Sequence, residues 1–308
     1  MKLVFHKSVH HLQPLADNDS TISSLKIFGQ PLILRSIEAA TKAFKISKIM
    51  IPNDFRDSLA LVQDKFPSIN VEEFCDDESY RQTSTLAKTE LGEIGKNDIF
   101  DIPINALVSF SKKEDSFSID PICYPWDLLN ILKKVLHDEV TRSQISQTAT
   151  IAKSSIIDGP CIIEDDVTVD DFCKITGPVY IGRNSFIGMG SLVRNSMINN
   201  ETKIGFNCEI AKTYFGGDDQ IAHHNVILDS IIGKNVWFGG YVGTANVLLT
   251  KKNVKYMIND DFVDTGINHF GAVVGNNCAV GASVIILPGR QVPANTKIQA
   301  GTIFGKKN

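Results

Sequence analysis

Residues 145–193 read ISQTAT IAKSSI IDGPCI IEDDVT VDDFCK ITGPVY IGRNSF IGMGSL V. An aliphatic side chain opens every group of six: Ile145, Ile151, Ile157, Ile163, Val169, Ile175, Ile181, Ile187 and Val193. A helix returns one face every ~3.6 residues and a half-buried strand every ~2, so neither produces this step. A chain that turns a corner after each short extended segment does, burying one aliphatic per side. Four residues on, the position is small: Ala149, Ser155, Cys161, Val167, Cys173, Val179, Ser185 and Ser191. A narrow interior demands that alternation. The pattern predicts a left-handed parallel β-helix, a triangular prism of hexapeptides in which each coil uses about three.

The register continues in both content and phase, with interruptions. After Val193 it slips by one residue, and Ile198, Ile204 and Ile210 carry another coil. Thr213 to Ala222 is expected to leave the prism. Val226, Ile232 and Phe238 are expected to restore it, above small Ser230, Val236 and Val242. Residues from Ala245 to Phe270 leave again, and Val274, Val280, Ile286, Val292 and Ile298 close the array. At strand spacing, about 4.8 Å, roughly seven coils give a prism of order 30 Å.

Composition narrows the function. A net charge of -4 with 21% charged residues describes an ordinary soluble protein. Lys and Arg form no basic stripe, so nucleic acid is not expected as a partner. No apolar run approaches a membrane span, and the first residues lack a secretory core, so the protein is expected in the cytoplasm. The six cysteines show no metal spacing. Cys161, Cys173, Cys208 and Cys278 occupy small inward positions and read as reduced core fillers.

Residues 1–140 read as an α/β domain ahead of the prism at 141–308. Pro31 opens a helical pattern with Ile33, Ile37, Ala40 and Phe44 on one face. Lys48 to Ile51 reads as a strand, Asp57 to Phe66 as a helix, Asn105 to Phe110 as extended, and Trp126, Leu129, Leu132, Val135 and Leu136 as a helical stripe. This alternation favours a small open sheet with helices on its faces. Asp76 to Ile99 is polar and weakly periodic, with no assignment. His6, His10 and His11 match no zinc pattern and read as an exposed N-terminal loop.

Two segments of this half, Leu25 to Ile33 and Tyr124-Pro125-Trp126-Asp127-Leu128-Leu129, resemble sugar-1-phosphate nucleotidylyltransferases. That family begins with a glycine-rich loop ending in arginine, which cradles nucleotide phosphates. Here the region runs Val4-Phe5-His6-Lys7-Ser8-Val9-His10-His11 without glycine, and Gln30 replaces the family lysine. The resemblance implies a degenerate, truncated nucleotidylyltransferase-like domain without that activity.

Residues 208–253 resemble the acetyltransferase domain of bifunctional enzymes that make UDP-N-acetylglucosamine. The resemblance rests on Ile221-Ala222-His223-His224-Asn225-Val226, then Ile232-Gly233, Phe238-Gly239-Gly240, Ala245-Asn246 and Lys252. It implies that His223 is the general base, Asn246 an active-site asparagine and Lys252 a substrate-binding lysine, with Lys251 and His224 beside them as further substrate-binding candidates. The chemistry is consistent. An imidazole accepts a proton near neutrality, an amide donates to a developing oxyanion, and a lysine offers a point charge to a phosphate. Each also has a plainer explanation: an exposed loop histidine, a turn asparagine, a solvated lysine. The family tyrosine three residues after the histidine is Val226 here.

The implied activity is acetyl-CoA-dependent N-acetylation of an amino sugar phosphate or nucleotide-linked amino sugar, in a homotrimer whose 245–270 excursion reaches a neighbouring prism. A different class stands beside it: a catalytically silent paralogue that binds sugar nucleotides or assembles with an active nucleotidylyltransferase. The zinc-binding β-helix enzymes fit poorly, since His223, His224 and His269 lack the spacing of their ligands.

Overall fold

The computed structural model describes residues 1–7, 11–15, 25–75, 99–111 and 116–306. The chain forms two compact units, one of residues 1–12 with 16–124, the other of 13–15 with 125–308. Ser8, Val9 and His10 of the N-terminal segment lie outside the described residues. So does Asp76 to Ile99, except for Ile99 itself.

The first unit is built on a parallel four-stranded sheet in the order Asn70–Phe74, Lys48–Pro52, Lys2–His6, Ile99–Pro103. Strands buried on both faces need continuous apolar runs, and Leu3, Val4, Phe5, Ile49 and Ile51 supply them. Helix α1, Leu32–Ala43, follows Pro31 and buries Ile33, Ile37 and Ala40. Ser36 fastens it to the hairpin Ala106–Ser111/Ser116–Pro121: its hydroxyl donates to the Ala106 carbonyl at 3.0 Å and accepts from the Val108 N–H at 3.2 Å. Helix α2 is Arg56–Lys65. One expectation changes: His6 ends the central strand rather than sitting in a loop, and His11 stacks on Tyr124 with ring centroids 5.5 Å apart.

The second unit is the hexapeptide prism, with three parallel sheets of eight strands each. Face 1 runs from Gln144–Ile145 to Arg290–Val292, face 2 from Thr150–Ile151 to Lys297–Ile298, and face 3 from Ile156–Asp158 to Ile303–Phe304. The inward aliphatics stack in register. On face 1, Ile163 pairs with Ile181, Ile181 with Ile198, Ile198 with Phe215 and Phe215 with Ile232. Each such side chain contributes roughly 1.5–3 kcal/mol on leaving water. At the open end no coil covers the interior, so Ile145 is exposed and Ile151 and Ile157 are only half-buried.

Corners are made by residues with positive φ, one column per edge. Asn184, Asn207, Asn235, Asn277 and Asn295 fill many of them, because the short Asn side chain tolerates the left-handed region. Elsewhere only glycine fits: a Cβ on Gly177 would stand 2.0 Å from the Pro160 carbonyl oxygen.

Two expectations about the register are corrected. Thr213 to Ala222 stays in the prism as strands Tyr214–Gly217 and Gln220–Ile221, with Phe215 and Ile221 pointing inward. Polar Thr213 and Asp219 there fill the small inward positions, which disguised the repeat. Because that coil keeps its phase, Ile227 rather than Val226 faces inward, stacked on Ile210. The excursion 245–270 does leave the prism and carries the hairpin Lys255–Ile258/Asp261–Asp264.

Helix α3, Pro125–Glu139, belongs to the prism's unit, ahead of the break at 140 read from the repeat. Its Trp126 meets Tyr256 and Phe270 edge-on, with centroids 5.7 and 6.3 Å apart. Among the described residues no helix is long and apolar enough to cross a membrane.

Candidate functional site

His223 and His224 form the corner between faces 2 and 3, between strands Gln220–Ile221 and Val226–Leu228. The two imidazoles have different surroundings. His224 holds the left-handed position (φ 56). Asn207, one coil earlier, donates its amide N–H to His224 Nδ1 at 3.1 Å, and Tyr241, one coil later, stacks on the ring at 4.8 Å. Phe206 packs edge-on at 5.1 Å. The Asn207 bond places the neutral ring's proton on Nε2. His223 is exposed and has no side-chain partner among the described residues. Its carbonyl accepts the Tyr241 N–H at 2.9 Å, which pins the backbone while the ring stays free.

Asn246 lies at the other end of face 3, after strand Gly243–Thr244 and past the corner that leads to face 1. Its amide Nδ2 donates to Asp229 Oδ2 at 2.5 Å, and its carbonyl accepts the Phe270 N–H at 2.8 Å. Lys212 Nζ lies 4.0 Å from Asp229 Oδ1. One protomer therefore does not bring Asn246 to His223: the width of a face separates them. Sequence reading missed Asp229 and Lys212. Their signal is a shared corner column, with Asn195, Lys212 and Asp229 all at positive φ on successive coils.

Lys251 and Lys252 sit in the excursion, both exposed. Lys251 also takes a positive φ, 55°, and its N–H binds the Leu248 carbonyl. Lys252 lines a cleft of about 660 Å³ with Lys255, Asp264, Phe262 and Arg290, the Arg290 guanidinium lying 5.8 Å from the Phe262 ring. Val226 points outward from face 3 and is exposed.

The thiols of the prism are unsuited to nucleophilic work. Cys161, Cys173, Cys208 and Cys278 are buried, and burial pushes the first three thiols above the usual cysteine range.

Comparison with known proteins agrees with the repeat. The GMPPB C-terminal domain family matches residues 157–263. A bifunctional sugar-1-phosphate nucleotidylyltransferase/acetyltransferase of Sulfurisphaera tokodaii is 30% identical over 183 residues, covering 59% of this chain and 45% of that protein. The bifunctional protein GlmU of Methanococcus vannielii is 30% identical over 222 residues, covering 72% of this chain and 52% of that protein. The chain thus spans about half the length of these curated relatives. Among solved structures, a GDP-perosamine N-acetyltransferase variant of Caulobacter crescentus, in complex with CoA and GDP-perosamine, is 10% identical with a TM-score of 0.23, covering 97% of this chain and 90% of that one. By its hexapeptide prism, its match to the GMPPB C-terminal domain over residues 157–263 and these relatives, the chain is a homologue of proteins named bifunctional sugar-1-phosphate nucleotidylyltransferase/acetyltransferase.

Proposed function

We propose that the protein is an acetyl-CoA-dependent N-acetyltransferase acting on an amino sugar phosphate or a nucleotide-linked amino sugar, as a homotrimer. The observation that carries this reading is the contrast at the second corner: His224 is anchored, whereas His223 offers an uncommitted imidazole on a pinned backbone. The relatives' acetyltransferase names supply the reaction class. The acceptor amine attacks the thioester carbonyl carbon, a C–N bond forms, and the C–S bond breaks. His223 takes the amine proton and returns one to the departing CoA thiolate. Since Asn246 stands a face away within one protomer, the reading places His223 of one prism beside groups of a neighbour. The exposed lysines of the excursion, Lys252 and Lys251, serve the phosphate as point charges.

The direct test is thiol release from acetyl-CoA with glucosamine 1-phosphate and related amino sugars. Transfer is expected in the wild type, with His223→Ala slower by about 10²- to 10⁴-fold. Equal rates for the two proteins, or no release with any amino sugar, would reject the proposal.

A silent paralogue that binds sugar nucleotides is the second reading, favoured by exposed Val226 at the family's tyrosine position. The same reading covers the first unit, whose Lys7 is engaged with Asp54 and whose short strand Gln30–Pro31 carries glutamine at the family lysine's position, so nucleotidylyl transfer is proposed to be lost. Nucleotide binding without thiol or pyrophosphate release would favour this alternative.

A further inference from the structure

A cavity of about 390 Å³ lies between helix α3 and the prism, within one unit of one chain. Its roof is the α3 stripe Leu129, Leu132, Lys133, Leu136 and His137, residues brought to one side by the helical i, i+3, i+4 spacing. Its floor is the corner column Asn195, Lys212 and Asp229, where positive φ recurs on three successive coils. Ile267 and His269, from the end of the excursion, close a third side. The volume falls in the range of roughly 300–1,000 Å³ typical of small-molecule sites.

The charge is unbalanced. Two ammonium groups, Lys133 and Lys212, line the cavity with a single carboxylate, Asp229, and beside them stand the imidazoles of His137 and His269, the latter bonded through Nδ1 to Asn268 Oδ1 at 2.8 Å. That carboxylate is already engaged by Asn246 and lies near Lys212. Lys133 and His137 have no ion-pair partner among the described residues. An amphiphilic cavity of this kind, with leucines on one wall and surplus donors on the other, suits an anion carried on a ring-sized body.

We propose that this cavity binds a phosphomonoester of sugar or nucleoside size, separately from the acyl-transfer site at His223. The leucine stripe covers the ring, and Lys133, Lys212, His137 and His269 take the phosphate. The bound ligand sits one hydrogen bond from Asn246, through Asp229. The inference rests on the lining of the cavity within one chain and not on the proposed acyl transfer.

The test is calorimetric titration of the full chain with UMP and with glucosamine 1-phosphate, and with succinate as an unphosphorylated dianion. At least one phosphomonoester is expected to bind saturably with Kd at or below about 1 mM. Lys133→Ala and His269→Ala should each weaken it about tenfold, a change of ~1.4 kcal/mol, while Lys133→Arg restores most of the affinity. Lys203→Ala, an exposed charge on face 2, should change nothing. Binding of UMP alone assigns a nucleotide, and binding of glucosamine 1-phosphate alone a sugar phosphate. The proposal is overturned if neither saturates, if succinate binds as tightly, or if Lys203→Ala weakens binding as much as Lys133→Ala. Circular dichroism of each variant separates loss of binding from loss of fold. Phosphate binding that is lost in these variants while thiol release persists supports a separate pocket. Binding that ignores them and vanishes in His223→Ala assigns the ligand to the acyl-transfer site instead.

Discussion

Asp219 sits at an inward position of the prism, fully buried, accepting the Gly217 N–H at 3.1 Å and the Val236 N–H at 2.8 Å. Burial pushes its carboxyl well above the usual aspartate range, and the two backbone donors only partly offset this. The folded state therefore holds a proton that the unfolded chain, with an ordinary pKa of about 3.9, has released. The contribution to stability is complete below that value and is lost as pH rises from it toward the raised folded value. Thermal melts across this range should show a declining component, and Asp219→Asn should flatten it because an amide does not ionise. The amide nitrogen would also face one of the two N–H donors, so the variant is expected to be less stable in acid than the wild type. Parallel pH profiles for the two proteins would refute this account. The histidine pair belongs to the same scale: neighbouring residues of one type diverge because one ring is held by Asn207 and Tyr241 and the other is not.

At the scale of the element, the prism's stability resides in its stacked columns. Phe215 is fully buried and pairs in register with Ile198 and Ile232. Phe215→Ala leaves a cavity that neighbouring coils cannot close without breaking their ladders, and a loss of about 3–5 kcal/mol is expected in urea unfolding. Val226→Ala, on an outward position of the same coil's third face, should stay within about 0.5 kcal/mol of wild type. Equal losses would mean that the register assigned to this coil is wrong. The hexapeptide step made the prism legible before any coordinates, since corner, aliphatic and small residue recur together. It failed where Thr213 and Asp219 replaced apolar fillers: a polarity pattern cannot distinguish a loop from a coil whose inward polar groups are satisfied by the backbone of the next rung.

For the whole molecule, the second corner presents a strip of exposed apolar side chains, with Phe172 at 69%, Tyr241 at 61% and Phe206 at 43% of full exposure. Such a strip beside an uncommitted imidazole is expected to be covered by another prism. Light scattering at micromolar concentration should give the mass of three chains, and Tyr241→Glu should shift the population toward monomer together with a loss of acetyl transfer. A wild-type monomer under those conditions would remove both the trimer and the shared site.

The architecture was readable along the chain because a six-residue period is a local consequence of corner geometry, and so were the helix of residues 125–139 and the buried cysteines. Residue roles were readable only as positions in a motif. Folding decided that His223 and Asn246 stand at opposite ends of a face, that Val226 looks outward, and that Lys212 and Asp229 meet under helix α3. Those relations depend on which residues stack from coil to coil, and a residue some seventeen positions away becomes a neighbour only once the chain has gone fully around.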